Sequence, residues 1–331
     1  MSISVVIPLF DKASTVGRSV ASALSQTRPA DEIVVVDDGS TDGSSAVVED
    51  LRAQQLRLIR QTNAGVSAAR NRGIDATSGD LIAFLDADDE WDPGFLAAIE
   101  RLAQDNPEAG AYATSYLFVN EKGRSVAAHS FNSLTPYKGG PLRYFLSVVS
   151  GDAPLNASST AVRRSALDKV GQFLVGAAWG EDAEMWTRIY LEFPIAYLAE
   201  PLARYHIATA NRATEQADPR PMMPVVKTLE QALQGGRIRP EEASDAARYI
   251  CQAISNTVQT NILHGHRSLA AGQLKHMRPY PCGRRTYWRL RALTQLPHWC
   301  IRGGLTARNF LRAALDGAEK PPQESPSLKR N

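Results

Sequence analysis

Cysteine is scarce in this chain, and the few present form no familiar pattern. Among 331 residues there are only 3, Cys251, Cys282 and Cys300, odd in number and unevenly spaced. Neither a zinc pattern nor a disulfide framework fits them, which excludes small stapled folds and zinc modules. Long apolar runs are lacking too. No stretch approaches the ~18 uninterrupted apolar residues of a membrane-spanning helix. Met1-Ser2-Ile3-Ser4 enters a strand directly, without the basic segment of a signal peptide. The expectation is a cytoplasmic protein. Acidic residues are missing over one interval: none lies between Asp245 and Asp316. A net charge of +2 therefore conceals a basic carboxyl-terminal segment behind a more acidic amino-terminal part. At 44% hydrophobic residues the chain can bury a sizeable core and is long enough for two domains.

The acids that are present cluster. Leu81-Ile82-Ala83-Phe84-Leu85 reads as a buried strand and discharges into Asp86-Ala87-Asp88-Asp89-Glu90 with no basic residue among them. Asp86 and Asp88, two apart on extended chain, point to one face, where hard carboxylate oxygens can share a divalent ion. A solvated acidic turn, or the acid-rich start of a helix before Pro93, is the competing reading. The same grammar occurs earlier. Ile33-Val34-Val35-Val36 runs into Asp37-Asp38-Gly39-Ser40-Thr41-Asp42, with Asp42 placed to cap a helix, and Ile3-Ser4-Val5-Val6-Ile7 runs into Pro8-Leu9-Phe10-Asp11. Val16, Val20 and Leu24 lie at helical spacing between the first two strands. The first third thus reads strand, helix, strand, helix, strand. That alternation argues for a parallel sheet covered by helices, with all three strands ending at one polar edge, where open α/β sheets bind ligands.

Taken in order, Val6 to Asp11, Gln26-Thr27, Glu32 to Asp42, Asn63-Ala64-Gly65, Ala69-Arg70-Asn71, Gly79-Asp80 and Leu85 to Asp89 resemble the nucleotide-sugar half of a family 2 glycosyltransferase. The resemblance covers roughly the first hundred residues. Asp11 stands where the family usually has Asn, and Phe10 where Tyr is usual. The resemblance implies a GT-A fold, a Rossmann-like and mostly parallel sheet flanked by helices. It also implies an inverting hexosyl transfer from a nucleoside-diphosphate sugar, with UDP the expected nucleotide, to a saccharide or lipid-linked acceptor in cell-envelope or extracellular polysaccharide synthesis. Pro8 and Phe10 would flank the base and Asp38 would accept from its ring N–H. Arg70 would reach a phosphate, with Arg72 beside it. Asp86 and Asp88 would hold the ribose and a divalent metal, Mn²⁺ or Mg²⁺.

Transfer to a hydroxyl also needs a base. Gly180-Glu181-Asp182-Ala183-Glu184, following Gly171-Gln172-Phe173, offers paired carboxylates at the start of an amphipathic helical pattern. By the resemblance Asp182 is the general base and Glu181 orients it or touches the acceptor. A structural reading as helix-start acids stands beside it. Trp186 and Arg188 are expected to pack and to form ion pairs. His206, after a strand at Ile195-Ala196-Tyr197-Leu198, is a candidate for metal or diphosphate, or a structural histidine. Asn156 to Thr160 is expected to face the acceptor.

The expected organisation is a catalytic domain over 1–215, divided at residue 100 into nucleotide-sugar and acceptor halves, then a helical basic extension over 216–317 and a disordered tail over 318–331. Asp218-Pro219-Arg220-Pro221 reads as the linker. In the extension Arg248, Arg267, Lys275, Arg278, Arg284, Arg285, Arg289, Arg291, Arg302, Arg308 and Arg312 are interleaved with Tyr287, Trp288, Trp299 and Phe310. Peripheral contact of 246–315 with an anionic membrane, packing or a protein partner, and nucleic acid are the readings, nucleic acid the least favoured. Two other functions compete with transfer. One is an idle nucleotide-sugar-binding scaffold. The other is a nucleotidyltransferase, for which Pro8 to Thr15 lacks the glycine-rich basic loop.

Overall fold

The computed structural model describes residues 1–120, 122–128, 139–207, 219–280 and 282–296. Its first four strands, β1 (Ile3–Leu9), β2 (Glu32–Asp37), β3 (Leu56–Arg60) and β4 (Leu81–Phe84), are parallel in the order β3-β2-β1-β4. They alternate with α1 (Val16–Leu24), α2 (Ser44–Asp50) and α3 (Val66–Asp75). β3 was not anticipated. Arg57 and Arg60 break its apolar pattern, and as the last strand in the order it is only half buried.

β1 is buried along its whole length, because its side chains alternate between two cores. Ile3, Val5, Ile7 and Leu9 join Val16 and Val20 of α1, whereas Val6 faces the other layer with Ile82 and Phe84. Full burial of such side chains contributes about 1.5–3 kcal/mol each, which makes the register of these strands stiff. On that second face α3 lies tight against β1. A Cβ on Gly73 would stand 2.3 Å from Val6 Cγ1, so glycine lets the helix approach and sets Arg70 one turn earlier over the strand ends.

Beyond β4 the sheet becomes mixed. β9 (Thr160–Arg163) pairs antiparallel with β4 and with β6 (Ala111–Val119), β6 is parallel to β10 (Ile195–His206), and β5 (Glu90–Trp91) closes the far edge antiparallel to β10. β7 (Ser125–Ala127) and β8 (Gly140–Pro141) add short antiparallel pairs. The helices here are α4 (Phe95–Asp105), α5 (Tyr144–Ser150), α6 (Arg164–Val170) and α7 (Glu181–Glu192). The strand read over 195–198 runs on to His206 through irregular pairing around Pro201.

Among the described residues four more helices follow: α8 (Pro224–Gln234), α9 (Ala243–Leu263), α10 (Arg267–Leu274) and α11 (Arg284–Leu293). Their buried residues, among them Val225, Ile250, Ile254 and Leu290, belong to the same cluster as Phe84, Trp186 and Tyr197 of the sheet layer. One continuous core thus joins the helical segment to the sheet. Cys251 of α9 is bonded to Cys282 just before α11, which corrects the expectation that no cysteines pair. The 31-residue separation carries no local signature. Cys300, Trp299, Phe310, Arg302, Arg308, Arg312, most of the 214–221 linker and the tail lie outside the described residues.

Candidate active site

The order β3-β2-β1-β4 reverses direction of growth between β1 and β4, and a crevice forms outside the carboxyl ends of strands at such a point. A cleft of 690 Å³ opens there, lined by Pro8, Phe10, Lys12, Asp38, Arg70, Asp86, Asp88, Asn156, Trp179, Glu181, Asp182 and His206. The size falls within the roughly 300–1,000 Å³ of small-molecule sites. Pro8, Phe10, Asp38, Arg70, Asp86, Asp88, Glu181, Asp182 and His206, all expected of the site, are therefore in one place, whereas Arg72 is exposed away from the lining and Ser158, Ser159 and Thr160 are buried behind it. A smaller cavity of 300 Å³ beside α5 and α7 holds Tyr190, Arg239 and Glu242, which already bond one another.

On the rim expected from the sequence to take the donor, called the donor rim for that reason, the acids around the end of β2 are pinned largely by backbone. Asp38 is buried and accepts from Gln61 Nε2 at 2.7 Å, Ala64 N at 2.9 Å and Gly65 N at 2.8 Å. Those donors take three of about four acceptor positions and fix the 61–65 loop, leaving one for a ligand N–H. Asp37 accepts from Ser40 N at 2.8 Å and from Ser45; these bonds hold its carboxyl below the ordinary value against the effect of burial. Asp42 accepts from Ser44 N at 3.0 Å and from Ala13 N at 2.8 Å; the N-cap of α2 is Gly43, so Asp42 stands one residue before the capping position expected of it. Asp11 has φ 48, a conformation that Asp and Asn tolerate, and accepts from Thr41 N at 2.8 Å. Phe10 is 37% exposed at the mouth.

Asp88 Oδ2 pairs with Lys12 Nζ at 2.8 Å. Lys12 was not singled out from the sequence, because its partner lies 76 residues away and the local pattern only shows a loop lysine. Asp89, also missed, is buried. Its carboxylate accepts from Ser158 Oγ at 2.5 Å and His206 N at 2.9 Å, tying the β4 loop to the short turn at Ala157–Ser159 and to the end of β10. Burial and the neighbouring charges of Asp88 and Asp86 push the Asp89 carboxyl well up.

The opposite rim, expected from the sequence to face the acceptor and called the acceptor rim for that reason, is the first turn of α7. Gly180 precedes it at φ 72, a left-handed conformation that favours glycine. Glu181 and Asp182 follow as the first two helical residues, where the helix dipole favours negative charge. Asp182 accepts one bond, from Ala183 N at 2.7 Å. Burial, then the adjacent Glu181, push it up to about 7 against the pull of Arg70. Trp186 is buried in the core, and Arg188 bonds Glu184 at 2.8 Å and the carbonyls of Val170, Gly171 and Gln172, as expected.

Arg70 joins the rims. Only 3% exposed, it donates from Nη2 to Asp86 Oδ1 at 2.7 Å and from Nη1 to Glu181 Oε1 at 2.8 Å, with Phe173 stacked at 5.2 Å. Both terminal nitrogens thus serve carboxylates of the protein, a placement different from the free phosphate-reaching fork expected. Asp86 is correspondingly turned to Arg70, although burial still leaves its carboxyl raised.

Among the described residues no three His, Cys, Asp or Glu side chains stand close enough together to hold a metal ion. Two donors nonetheless suit one. His206 Nε2 is buried without a hydrogen bond, 3.4 Å from Glu90 Oε1, and burial lowers the imidazole below its ordinary value, keeping it neutral and able to ligate. Asp88 lines the same cleft with a carboxylate. Asn156 places both amide atoms, buried and without a hydrogen bond, on the lining.

Residues 4–171 match the Glycosyl transferase family 2 profile. The chain belongs to glycosyltransferase family 2. The match covers the whole donor rim and stops short of Glu181 and Asp182, so the acceptor rim is read from geometry. An uncharacterized Nostoc glycosyltransferase, alr2836, is 42% identical over 219 residues, 64% of this chain and 66% of that protein. The uncharacterized glycosyltransferase YibD of Escherichia coli is 39% identical over 103 residues, 30% of each. The family fold is seen in S. aureus TarS, whose fragment solved with UDP-GlcNAc superposes with a TM-score of 0.56 at 20% identity over 77% of this chain and 67% of that one. This family 2 chain is therefore a GT-A α/β protein with an open, mixed sheet flanked by helices. Among its described residues no helix is long and apolar enough to cross a membrane.

Proposed function

We propose that the protein is an inverting glycosyltransferase that moves a sugar from a nucleoside-diphosphate sugar, with UDP as the nucleotide, to a hydroxyl of a saccharide or lipid-linked acceptor. One observation carries the reading. Asp86 and Asp88 at a strand end and Glu181 and Asp182 at a helix start line one cleft, and the Asp182 carboxyl stands at about 7. A base near the working pH is best matched to proton transfer.

In this mechanism Asp182 takes the proton of the acceptor hydroxyl. Its oxygen bonds to the anomeric carbon from the face opposite the nucleotide, and the carbon–oxygen bond to the diphosphate breaks, leaving the pair of electrons on the diphosphate. One displacement inverts the centre. Glu181, fixed by Arg70, holds its neighbour Asp182 in register, and Lys12 places a positive charge beside Asp88 where the leaving group is anionic. The remaining acceptor position of Asp38 suits a base N–H, and Pro8 and Phe10 flank it. Asn156, with a donor and an acceptor both unpartnered, suits a sugar hydroxyl, which is also both. Asp88 and His206 would hold Mn²⁺ or Mg²⁺, with Asp86 committed to Arg70; such an ion, when bound, neutralises charge on the departing diphosphate.

The test is release of nucleoside diphosphate from a panel of nucleotide sugars with Mn²⁺, beside an Asp88→Asn control. Release from one donor, abolished by that substitution and by chelator, is expected. Nucleotide binding with no turnover, by wild type, of any donor and acceptor would leave only the idle scaffold.

A further inference from the structure

The last helices carry a surface that transfer does not use. α11 buries Leu290 alone, with Tyr287 and Leu293 half-buried on the same side. Trp288, on the opposite side, is 64% exposed. Residues three and four apart are neighbours on a helix, so Arg284, Arg285 and Arg291 surround the indole at i−4, i−3 and i+3, with Arg289 next to it. Lys275 and Arg278 are exposed on the turn before α11. Arg267 donates to the carbonyl of Leu296 at 2.7 Å and so brings the end of α11 onto the start of α10. Leu263 at the end of α9, Leu269 of α10 and Leu296 after α11 are exposed as well.

Among the described residues none of Lys275, Arg278, Arg284, Arg285, Arg289 and Arg291 forms an ion pair, and the chain offers no acid from 246 to 315. Solvated arginines alone would explain the charge but not an exposed indole at its centre. Nucleic acid would accept the arginines and could stack the indole, but it has no place for the leucines. An interfacial helix wants all three: cations for lipid phosphates, an indole for the headgroup region, and aliphatic side chains for the acyl boundary.

We propose that the α10–α11 face docks on an anionic lipid bilayer. This holds whether or not the cleft transfers sugar. The full chain is tested by flotation with vesicles of phosphatidylcholine alone and of phosphatidylcholine mixed with phosphatidylglycerol. Binding to the mixed vesicles only, weakening as salt is raised, is expected. Each Arg→Gln change at 284, 285, 289 or 291 should lower partition about fivefold. The fourfold Arg→Lys variant should keep most of the binding, and Trp288→Ala should weaken it without changing the salt slope. Thermal unfolding of each variant at the wild-type midpoint checks the fold. Equal binding to neutral vesicles, retention by the fourfold Gln variant, or preference for a DNA duplex over vesicles of equal charge would overturn the proposal.

Discussion

The end of β2 and the start of α7 hold their carboxylates in opposite ways. On the donor rim Asp37, Asp38 and Asp42 accept several bonds each from nearby backbone and side chains, and the pKa values of Asp37 and Asp42 are held down. On the acceptor rim Asp182 accepts a single bond beside another acid and is pushed up to about 7. Well-satisfied acids make a rigid mould, and a poorly satisfied one holds a proton ready to exchange. On the proposed reading, the contrast sets recognition at the end of β2 and proton transfer at the start of α7, with Asp86 and Asp89 after β4 raised by burial as well.

The widest breach of that contrast is Asp182→Asn. It should lower kcat about 10²- to 10⁴-fold with donor KM little changed and thermal stability undiminished, since an amide replaces a carboxyl that gains little from its surroundings. The pH profile sharpens the same point. The base form of a raised carboxyl is populated only above its pKa, so wild-type kcat should climb about tenfold per pH unit and level off above about 7. An unchanged limb in the Asn variant would remove Asp182 from the role.

Next is Arg70→Met, which leaves Asp86 and Glu181 half-buried and uncompensated. Breaking a buried pair from one side costs about 3–5 kcal/mol, to be read by denaturant unfolding. Asp38→Asn should be milder. It sets an amide N–H₂ against backbone donors and costs about 1–3 kcal/mol, with weaker nucleotide binding by calorimetry. Asn156→Leu is the smallest in stability and the most telling in sign. It removes two buried polar atoms that lack partners, so the unliganded protein should unfold no earlier, whereas the donor or acceptor KM rises about tenfold.

Much of the donor rim was legible in the sequence, because strand, acids and turn are contiguous: Ile33 to Asp42 and Leu81 to Asp89 each state their own geometry. Glu181 and Asp182 were legible for the same reason, as acids at a helix start. What connects these pieces was not. Lys12 with Asp88, Ser158 with Asp89 and Arg70 with Glu181 are separated by 76, 69 and 111 residues, and no local pattern encodes them. β3 was lost because an edge strand with Arg57 and Arg60 lacks an apolar run. The change of composition after residue 215 suggested an appendage, but apolar positions on α8 and α9 do not say what they pack on, and they pack on α7 and α5, within the core that continues to the sheet. Cys251 and Cys282 looked unrelated until α9 and α10 folded back.

Arg70 has a mechanical consequence. A guanidinium that bridges two walls at 2.7 and 2.8 Å fixes the gap between them, so the walls cannot swing apart to admit a large substrate without exposing a buried charge. Widening must come from segments that this strut does not hold. The loop from Leu174 to Gly180 is such a segment, with Leu174 and Val175 exposed and glycines at φ 83 and 72 near its middle and at its end. The width of the cleft is thus set at the guanidinium, and what is left to adjust is its mouth, where the 174–180 loop is tied down through Trp179, whose Nε1 donates to Pro221 O at 2.9 Å.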